Sequence, residues 1–337
     1  MAAPRVRVGS LGGTITMTSG AAGQGVTPTL TAADLVAAVP VLAEVAELEA
    51  HTLRNEPSAW FGPAEVLEAL AWARTAAADA DGVVLVQGTD TIEETSWLLD
   101  LHWDAPQPLV VTGAMRSPAT PGADGPANLV ASAVVAGAPA SRGLGVLVVL
   151  DDDVHAAARV RKSDSTSTSA FSSAPHGALG RVHERGVTYV NRPTRWPALP
   201  APQPARDPRV ALLETHLGDD GALLRTVVDA GYDGVVLAAF GVGHVSRGLA
   251  AAISEAVERC HVVLASRTGS GPVLHRTYGF VGSEQDLLGR GAVPSGWIDA
   301  RKSRLLLWSL LAADAGTDRV RSTFAERGAA PGGPGPA

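Results

Sequence analysis

The sequence is poor in the residues that mark several special classes of protein. Among its 337 residues it has one cysteine, Cys260, which excludes an internal disulfide and a cysteine-based metal site. Because Cys260 lies just before "HVVLAS", we expect a buried structural thiol. Aromatic residues make up 4% of the chain, so the core must consist mainly of Val, Leu and Ala.

Long apolar runs are missing as well. No run is long enough to span a bilayer. The N-terminal stretch "MAAPRVRVGSLGG" lacks the basic region and apolar segment of a secretory signal. We therefore expect a cytoplasmic protein without a membrane partner.

Basic residues are not in excess. The formal net charge of −7 argues against nucleic acid or an anionic membrane surface as the main partner, although such a charge is also common for colloidal stability alone. With 46% hydrophobic and 18% charged residues, the chain can bury a sizeable core and is not a disordered protein. Its length suggests roughly two domains.

Short apolar runs alternate with helix-like stretches along the chain. The runs "VRVG", "GVVLVQ", "PLVVTG" and "GLGVLVVLDD" are rich in β-branched residues and apolar on both faces, as strands of a covered parallel sheet are. Between them, stretches such as "PAEVLEALAWARTAAADA" carry an apolar stripe at helical spacing and a Pro at the first helical position. This alternation predicts an α/β fold.

A Pro-rich segment divides the pattern. Residues 192–209, "RPTRWPALPAPQPARDPR", cannot sustain a helix and are typical of a stiff linker. We predict a larger N-terminal α/β domain over residues 1–191, with a parallel-type sheet flanked by helices, and a smaller C-terminal α/β domain over residues 210–327. The low-complexity tail, residues 328–337, is expected to be disordered.

Two glycine-rich turns carry hydroxyl and carboxyl groups directly after predicted strands. Thr14 follows "VRVGSLGG", and Thr89 and Asp90 follow "VLVQG". In an open parallel sheet, ligands bind beyond the carboxyl ends of the strands, and glycines let the backbone approach them closely. A helix starting near Thr91 would point its positive end there, which suits a small carboxylate. The alternative is that "GTDT" is only a helix cap.

A hydroxyl-rich stretch after the fourth strand contains one lysine. Residues 151–173, "DDDVHAAARVRKSDSTSTSAFSS", are typical of a solvated loop when taken alone. The functional alternative is that Lys162 bends towards Thr89 and Asp90. A lysine desolvated beside these groups loses its proton more easily and can act as a base, in a Thr–Lys–Asp arrangement with the logic of a Ser–His–Asp triad.

Together these motifs resemble those of the bacterial-type L-asparaginase/glutaminase family. The match runs from Val6 to about Ala313, and the joint order of its motifs is more specific than either glycine turn alone. The segments that carry it are "LGGTITM", "VVLVQGTDTIEETSWLLDL", "VVTGAMRSPATPGADGPANLVASAV", "GVLVVLDDDVHAAARVRKSDSTSTSAFSS" and "GVVLAAFGVGHVS".

The resemblance implies a role for each matching residue. Thr14 is similar to the family's nucleophile, and Thr89, Asp90 and Lys162 to its second threonine, aspartate and lysine. It implies that Asp90 also binds the α-amino group of the substrate. Further substrate-binding positions implied by the resemblance are Ser58 in "NEPSAW" for the α-carboxylate, Gly88 in the second glycine turn, and the Ala114 backbone carbonyl for the side-chain amide. The family's site lies between subunits of an intimate dimer, commonly paired into a tetramer.

Two departures from the family pattern affect the expected site. The loop at residues 19–30 lacks the usual tyrosine, which Tyr278 could replace from elsewhere. His244, in "GVGH", stands where an asparagine usually reaches across the interface, and a purely structural histidine is the alternative. Glu284, in "VGSEQDL", is the candidate for the carboxylate that meets the α-amino group from the partner subunit.

The resulting hypothesis is an amidohydrolase that converts L-asparagine to aspartate and ammonia through a threonine acyl-enzyme. It needs no cofactor or metal and works as a homodimer or homotetramer. Thr14 is preferred as the first nucleophile because its loop can close over the substrate. Glutamine or another small amide is an alternative substrate, since one methylene changes binding by only about 1–3 kcal/mol. A catalytically weak amino-acid binding or regulatory protein on the same scaffold is the other alternative.

Overall fold

The computed structural model describes residues 2–18, 27–192, 195–202 and 207–329. The chain divides into two compact units, Met1–Ala198 and Leu199–Ala337, and this division falls inside the Pro-rich segment. Part of that segment, most of the loop that lacks the tyrosine, and residues 330–337 of the predicted tail lie outside the described residues. Each unit has its own β-sheet flanked by helices, with the larger sheet in the first, so the predicted fold class is confirmed.

The first unit is built on an eight-stranded sheet of order β12-β11-β8-β7-β6-β5-β1-β4. The described strands of this unit are β1 (Arg5–Ser10), β2 (Met17–Thr18), β3 (Thr27–Pro28), β4 (Glu47–Thr52), β5 (Gly82–Val86), β6 (Leu109–Thr112), β7 (Val146–Leu150), β8 (Asp153–Ala156), β9 (Arg161–Lys162), β10 (Phe171–Ser172), β11 (Gly180–His183) and β12 (Gly186–Tyr189). Strands β2 and β3 form one small ribbon, and β9 and β10 form another.

The large sheet is mixed rather than wholly parallel. Strands β4, β1, β5, β6 and β7 run parallel to one another, whereas β8 pairs antiparallel with β7, and β11 and β12 continue the antiparallel pairing. The change comes directly after β7, where Asp151 and Asp152 take positive φ angles of 52° and 63° and close a tight hairpin. A parallel partner would instead have required a long crossover connection.

Helices cover this sheet and explain the composition of its strands. They are α1 (Ala32–Ala37), α2 (Pro63–Ala77), α3 (Ile92–His102) and α4 (Gly125–Gly137). Every residue of β5, β6 and β7 is buried, because both faces of these strands are covered. This is the reason for their unbroken apolar sequence.

The second unit contains a parallel four-stranded sheet of order β13-β14-β15-β16. Its strands are β13 (Val210–Glu214), β14 (Gly234–Ala239), β15 (His261–Ser266) and β16 (Val293–Pro294). Its helices are α5 (Ala222–Asp229), α6 (Arg247–Ala256), α7 (Glu284–Gly289), α8 (Ala300–Ala312) and α9 (Thr317–Arg327). Cys260 is partly buried against the core of this unit, and burial raises the pKa of its thiol. Among the described helices of both units, none is long and apolar enough to cross a membrane.

Candidate active site

The two glycine turns lie against each other beyond the carboxyl ends of two neighbouring strands of the large sheet. Strands β1 and β5 are parallel neighbours, and the Leu11 amide donates to the Val86 carbonyl oxygen at 2.8 Å just beyond their ends. Gly13 has a φ of 91°, and a Cβ added to it would lie 2.1 Å from the backbone nitrogen of Gly88. No side chain fits between the two turns. The backbone contact therefore places the turn that carries Thr14 directly beside the turn that carries Thr89.

Thr89, Asp90 and Lys162 come together beyond the same strand ends. Lys162 Nζ donates to Thr89 Oγ1 at 3.0 Å and to Asp90 Oδ1 at 3.0 Å. Thr89 is buried, with 6% of its surface exposed, and the Lys162 side chain is 16% exposed, whereas the Asp90 side chain is 68% exposed. The arrangement can pass a proton between a shielded hydroxyl and an amine, and it leaves a carboxylate open to a ligand.

A short hairpin, not an irregular loop, delivers Lys162 to the site. Strand β9 pairs with β10, and Asp164 Oδ1 accepts the amides of Thr166 at 2.7 Å and Ser167 at 2.8 Å in the connecting turn. The amide of Lys162 donates to Glu93 Oε2 at 2.6 Å. Glu93 is a residue that the sequence analysis missed. It is 5% exposed and belongs to the first turn of α3, three residues after Asp90.

Ser58 contacts the turn that carries Thr89, and its hydroxyl makes no hydrogen bond to another described residue. The residue is 1% exposed, and Ser58 Oγ is buried with no hydrogen-bond partner among the described residues. A Cβ on Gly88 would lie 2.7 Å from this oxygen, so the two predicted substrate-binding residues are in contact. Buried hydroxyls are normally hydrogen-bonded, and an unpaired one beside a glycine turn suits a ligand atom.

Ala114 follows β6 and approaches the same place. It is 1% exposed, and a Cβ on the preceding Gly113 would lie 3.3 Å from Thr89 Cγ2. The ends of β1, β5 and β6 thus supply adjacent turns, as expected for neighbouring parallel strands.

His244 and Glu284 belong to the second unit and contact each other. His244 Nε2 lies 3.1 Å from Glu284 Oε2, and Glu284 Oε1 accepts the amides of Thr277 and Tyr278 at 2.8 Å each. Burial opposes the charge of Glu284, but the two amides and His244 outweigh it and hold the pKa of the carboxyl below its usual value. The Tyr278 ring packs edge-on against His244 with 4.8 Å between ring centroids.

Comparison with known proteins agrees with these motifs over most of the chain. The family described as Asparaginase, N-terminal matches residues 5–195, and the Glutaminase/Asparaginase C-terminal domain matches residues 209–324. A protein of Deinococcus radiodurans named "Probable L-asparaginase" is 34% identical over 96% of this chain and 98% of its own length. "L-asparaginase 2" of Escherichia coli strain K12 is 31% identical over 86% of this chain and 83% of its own.

A third relative bears on cellular location. It is a protein of Haemophilus influenzae named "Probable L-asparaginase periplasmic", 31% identical over 81% of this chain and 78% of its own length.

The resemblance inferred from the sequence motifs is confirmed by the matches to both units. The chain belongs to the bacterial-type asparaginase family of amidohydrolases.

Proposed function

We propose that this protein hydrolyses the side-chain amide of L-asparagine to aspartate and ammonia through a threonine acyl-enzyme. The observation that carries the proposal is the hydrogen bonding of Lys162 to Thr89 and Asp90, at 3.0 Å each, beside the turn that holds Thr14. The names of its relatives support an asparagine amide as the substrate. No residue in the proposed reaction requires a metal or cofactor.

In the first step, the Thr14 hydroxyl oxygen adds to the side-chain amide carbon. The hydroxyl proton moves to the amide nitrogen, the C–N bond breaks, and ammonia leaves while the β-acyl group stays on Thr14. Backbone amides of the glycine turns stabilise the negative charge that develops on the carbonyl oxygen. Covalent catalysis of this kind divides one difficult displacement into two easier ones.

In the second step, water attacks the Thr14 ester. Thr89 Oγ1 takes up one proton of the water as the Thr89 hydroxyl passes its own proton to the unprotonated Lys162 amine. The water oxygen bonds to the acyl carbon, the C–O bond to Thr14 breaks, and the proton returns through Thr89 to the Thr14 oxygen as aspartate leaves. The relay is short because Lys162 Nζ lies 3.0 Å from Thr89 Oγ1.

Substrate binding uses the remaining groups of the site. The exposed Asp90 carboxylate binds the α-ammonium group. The Ser58 hydroxyl beside Gly88, which has no partner within the described part of the chain, binds the α-carboxylate. The Ala114 carbonyl accepts a hydrogen bond from the side-chain amide. Glu284 of a second copy meets the α-amino group, and His244 reaches across the interface between the copies. The assembly is a homodimer or homotetramer, and analytical ultracentrifugation would measure its mass.

Two substitutions test the roles of the hydroxyls. Thr14→Ala and Thr89→Ala should each lower ammonia release from L-asparagine by several decades, because Thr14 carries the acyl group and Thr89 relays the proton of the attacking water. Thr75→Ala is the matched control, since this exposed threonine of α2 donates its hydroxyl within its own helix, to the Ala71 carbonyl oxygen at 3.2 Å. Near-normal turnover in either site variant would remove that residue from the mechanism.

The same assay separates the alternative functions. A panel of L-asparagine, D-asparagine and L-glutamine with ammonia detection distinguishes an asparaginase from a glutaminase or mixed amidase. Calorimetric binding of asparagine without ammonia release would instead indicate a binding or regulatory protein. The cytoplasmic location stays a prediction, and cell fractionation would test it, since one relative is named periplasmic.

A further inference from the structure

We propose that Asn128 and Asp124, at the start of α4, are positioning residues that hold the Ala114 carbonyl beside Thr89 and so favour substrates with an amide leaving group. This inference rests on the proposed function, in which that carbonyl accepts a hydrogen bond from the substrate amide. Neither residue is itself placed in contact with the substrate.

Asn128 ties the ends of two strands together through one buried amide. The residue is 2% exposed. Its Nδ2 donates to the Gly113 carbonyl oxygen at 3.0 Å, and its Oδ1 accepts the amide of Asp151 at 3.0 Å. The orientation of the side-chain amide is fixed, since the Gly113 oxygen can only accept and the Asp151 amide can only donate. Asn128 therefore joins the turn after β6 to the turn after β7.

Asp124 holds the other side of Ala114. Its Oδ2 accepts the amide of Met115 at 2.9 Å, and its Oδ1 accepts the amide of Arg116 at 2.9 Å. Asn128 Nδ2 also lies 3.1 Å from Asp124 Oδ2, so the two side chains form one unit. Ala114 is thus held between a fixed carbonyl on one side and two fixed amides on the other.

The start of α4 also contacts the turn that carries the proposed nucleophile. A Cβ on Gly125 would lie 2.8 Å from Ile15 Cγ1 and 3.4 Å from Ala114 Cβ. Ile15 directly follows Thr14, and Gly113 packs against Thr89. A shift of this helix end would therefore move the Ala114 carbonyl relative to both threonines. A misplacement of about 1 Å in a reacting site can lower the rate by about 100-fold.

The chemical consequence depends on the leaving group. An amide nitrogen carries hydrogen atoms that can be donated to the Ala114 carbonyl. The β-methyl ester of aspartate has the same acyl group but no hydrogen atom to donate, and it gives the same acyl-enzyme and the same product. Correct placement of Ala114 should therefore matter for the amide and much less for the ester.

The test compares kcat/KM for L-asparagine and for the β-methyl ester of L-aspartate, both followed by the release of aspartate. This constant reports the steps up to acylation, where the two substrates differ. Asn128→Asp removes the donor to Gly113, and Asp124→Asn replaces a doubly accepting carboxylate with an amide of the same shape. Asn191→Asp is the matched control, because Asn191 Nδ2 likewise donates to a backbone carbonyl oxygen, that of His176, at 3.1 Å.

We expect both variants to lose about 10- to 100-fold in kcat/KM for the amide and less than about threefold for the ester, with Asn191→Asp unchanged for both. Equal losses for the two substrates in Asp124→Asn, the milder variant, would overturn the inference while leaving the asparaginase function intact. A wild-type protein that released aspartate from neither substrate would instead refute the proposed function.

Discussion

Replacing Gly13 with alanine would test the contact between the two glycine turns, on which the geometry of the site depends. Gly13 has φ 91° and ψ −173°, a backbone region that is essentially restricted to glycine. The new Cβ would lie 2.1 Å from the nitrogen and 2.3 Å from the Cα of Gly88. Both of these are backbone atoms, so no side chain can rotate away to relieve the clash. The turns that carry Thr14 and Thr89 would have to separate.

The structure sets the size of the expected effect. The unfavourable backbone conformation should cost about 1–3 kcal/mol, and forcing atoms into a packed contact costs about 1–3 kcal/mol more. The sum, about 2–6 kcal/mol, is a large part of the stability of an ordinary domain, about 5–15 kcal/mol. Gly143→Ala provides the matched control, because Gly143 also has a positive φ, 75°, but its added Cβ would meet no atom within 4 Å. It should show only the backbone cost.

Urea unfolding and ammonia release from L-asparagine would be measured for the wild type and both variants. Gly13→Ala should lose at least about 1–3 kcal/mol more free energy of unfolding than Gly143→Ala, because the contact cost adds to its backbone cost. Its kcat/KM should fall by about 100-fold or more, since the threonines move apart by about 1 Å, whereas Gly143→Ala should keep its turnover. If Gly13→Ala were as stable and as active as Gly143→Ala, the two turns would not be in contact and the convergence of the threonines would be wrong.

Three further outcomes follow from individual contacts. Glu93→Ala should lower kcat about 10- to 100-fold with little change in KM, because the backbone amide of Lys162 loses its hydrogen-bond acceptor. Glu93→Gln keeps an acceptor for this amide and should retain most of the turnover. Steady-state kinetics on both variants would measure the difference. Ser58→Ala should raise KM about 10- to 100-fold yet leave the free energy of unfolding in urea nearly unchanged, since its hydroxyl has no hydrogen-bond partner to lose among the described residues. A loss of several kcal/mol in that free energy would contradict this. The depressed pKa of Glu284 should stabilise the protein above about pH 4.5, the usual value for the group, and this stabilisation should be lost as the pH falls through the lower folded-state pKa. The difference in unfolding free energy between wild type and Glu284→Gln should therefore shrink below about pH 4.5. A constant difference from pH 7 to pH 3.5 would refute this role of Glu284.

Patterns that depend on burial alone could be predicted from the sequence. The strands β5, β6 and β7 are buried at every position, and this is what an unbroken apolar run indicates. The α/β class followed from those runs, and the family followed from the order of the motifs that end them. The antiparallel part of the large sheet, strands β8, β11 and β12, was missed. It depends on positive φ angles at Asp151 and Asp152, and the letters "LDDDVH" do not distinguish such a hairpin from the start of a crossover.

Polar residues whose partners are distant in the chain could not be predicted. Glu93 is separated by 69 residues from Lys162, whose amide it accepts, and Asn128 is separated by 23 residues from Asp151. In the sequence, Glu93 is an acid in the first turn of a helix, where acids are common for local electrostatic reasons. Asn128 is one of two polar residues, with Ser132, in an otherwise apolar helix. Only the packing of neighbouring elements shows that each of them holds the backbone of another strand end.

The side chains of Thr89, Lys162 and Asp90 contact one another but differ in exposure, and this difference suits them to different roles. The shielded pair, Thr89 and Lys162, lies where water competes least for hydrogen bonds, which suits proton transfer. The Asp90 side chain is 68% exposed, and an ion pair at such a position adds little to stability because solvent screens it. The exposed Asp90 carboxylate is instead suited to ligand binding, because a carboxylate held by one lysine can still accept hydrogen bonds from the ammonium group of an amino acid. A small change in backbone position would break both the Thr89–Lys162 contact and the Asp90–Lys162 contact. Glycine turns in direct contact, and buried side chains that fix the neighbouring strand ends, keep the backbone of the site in place.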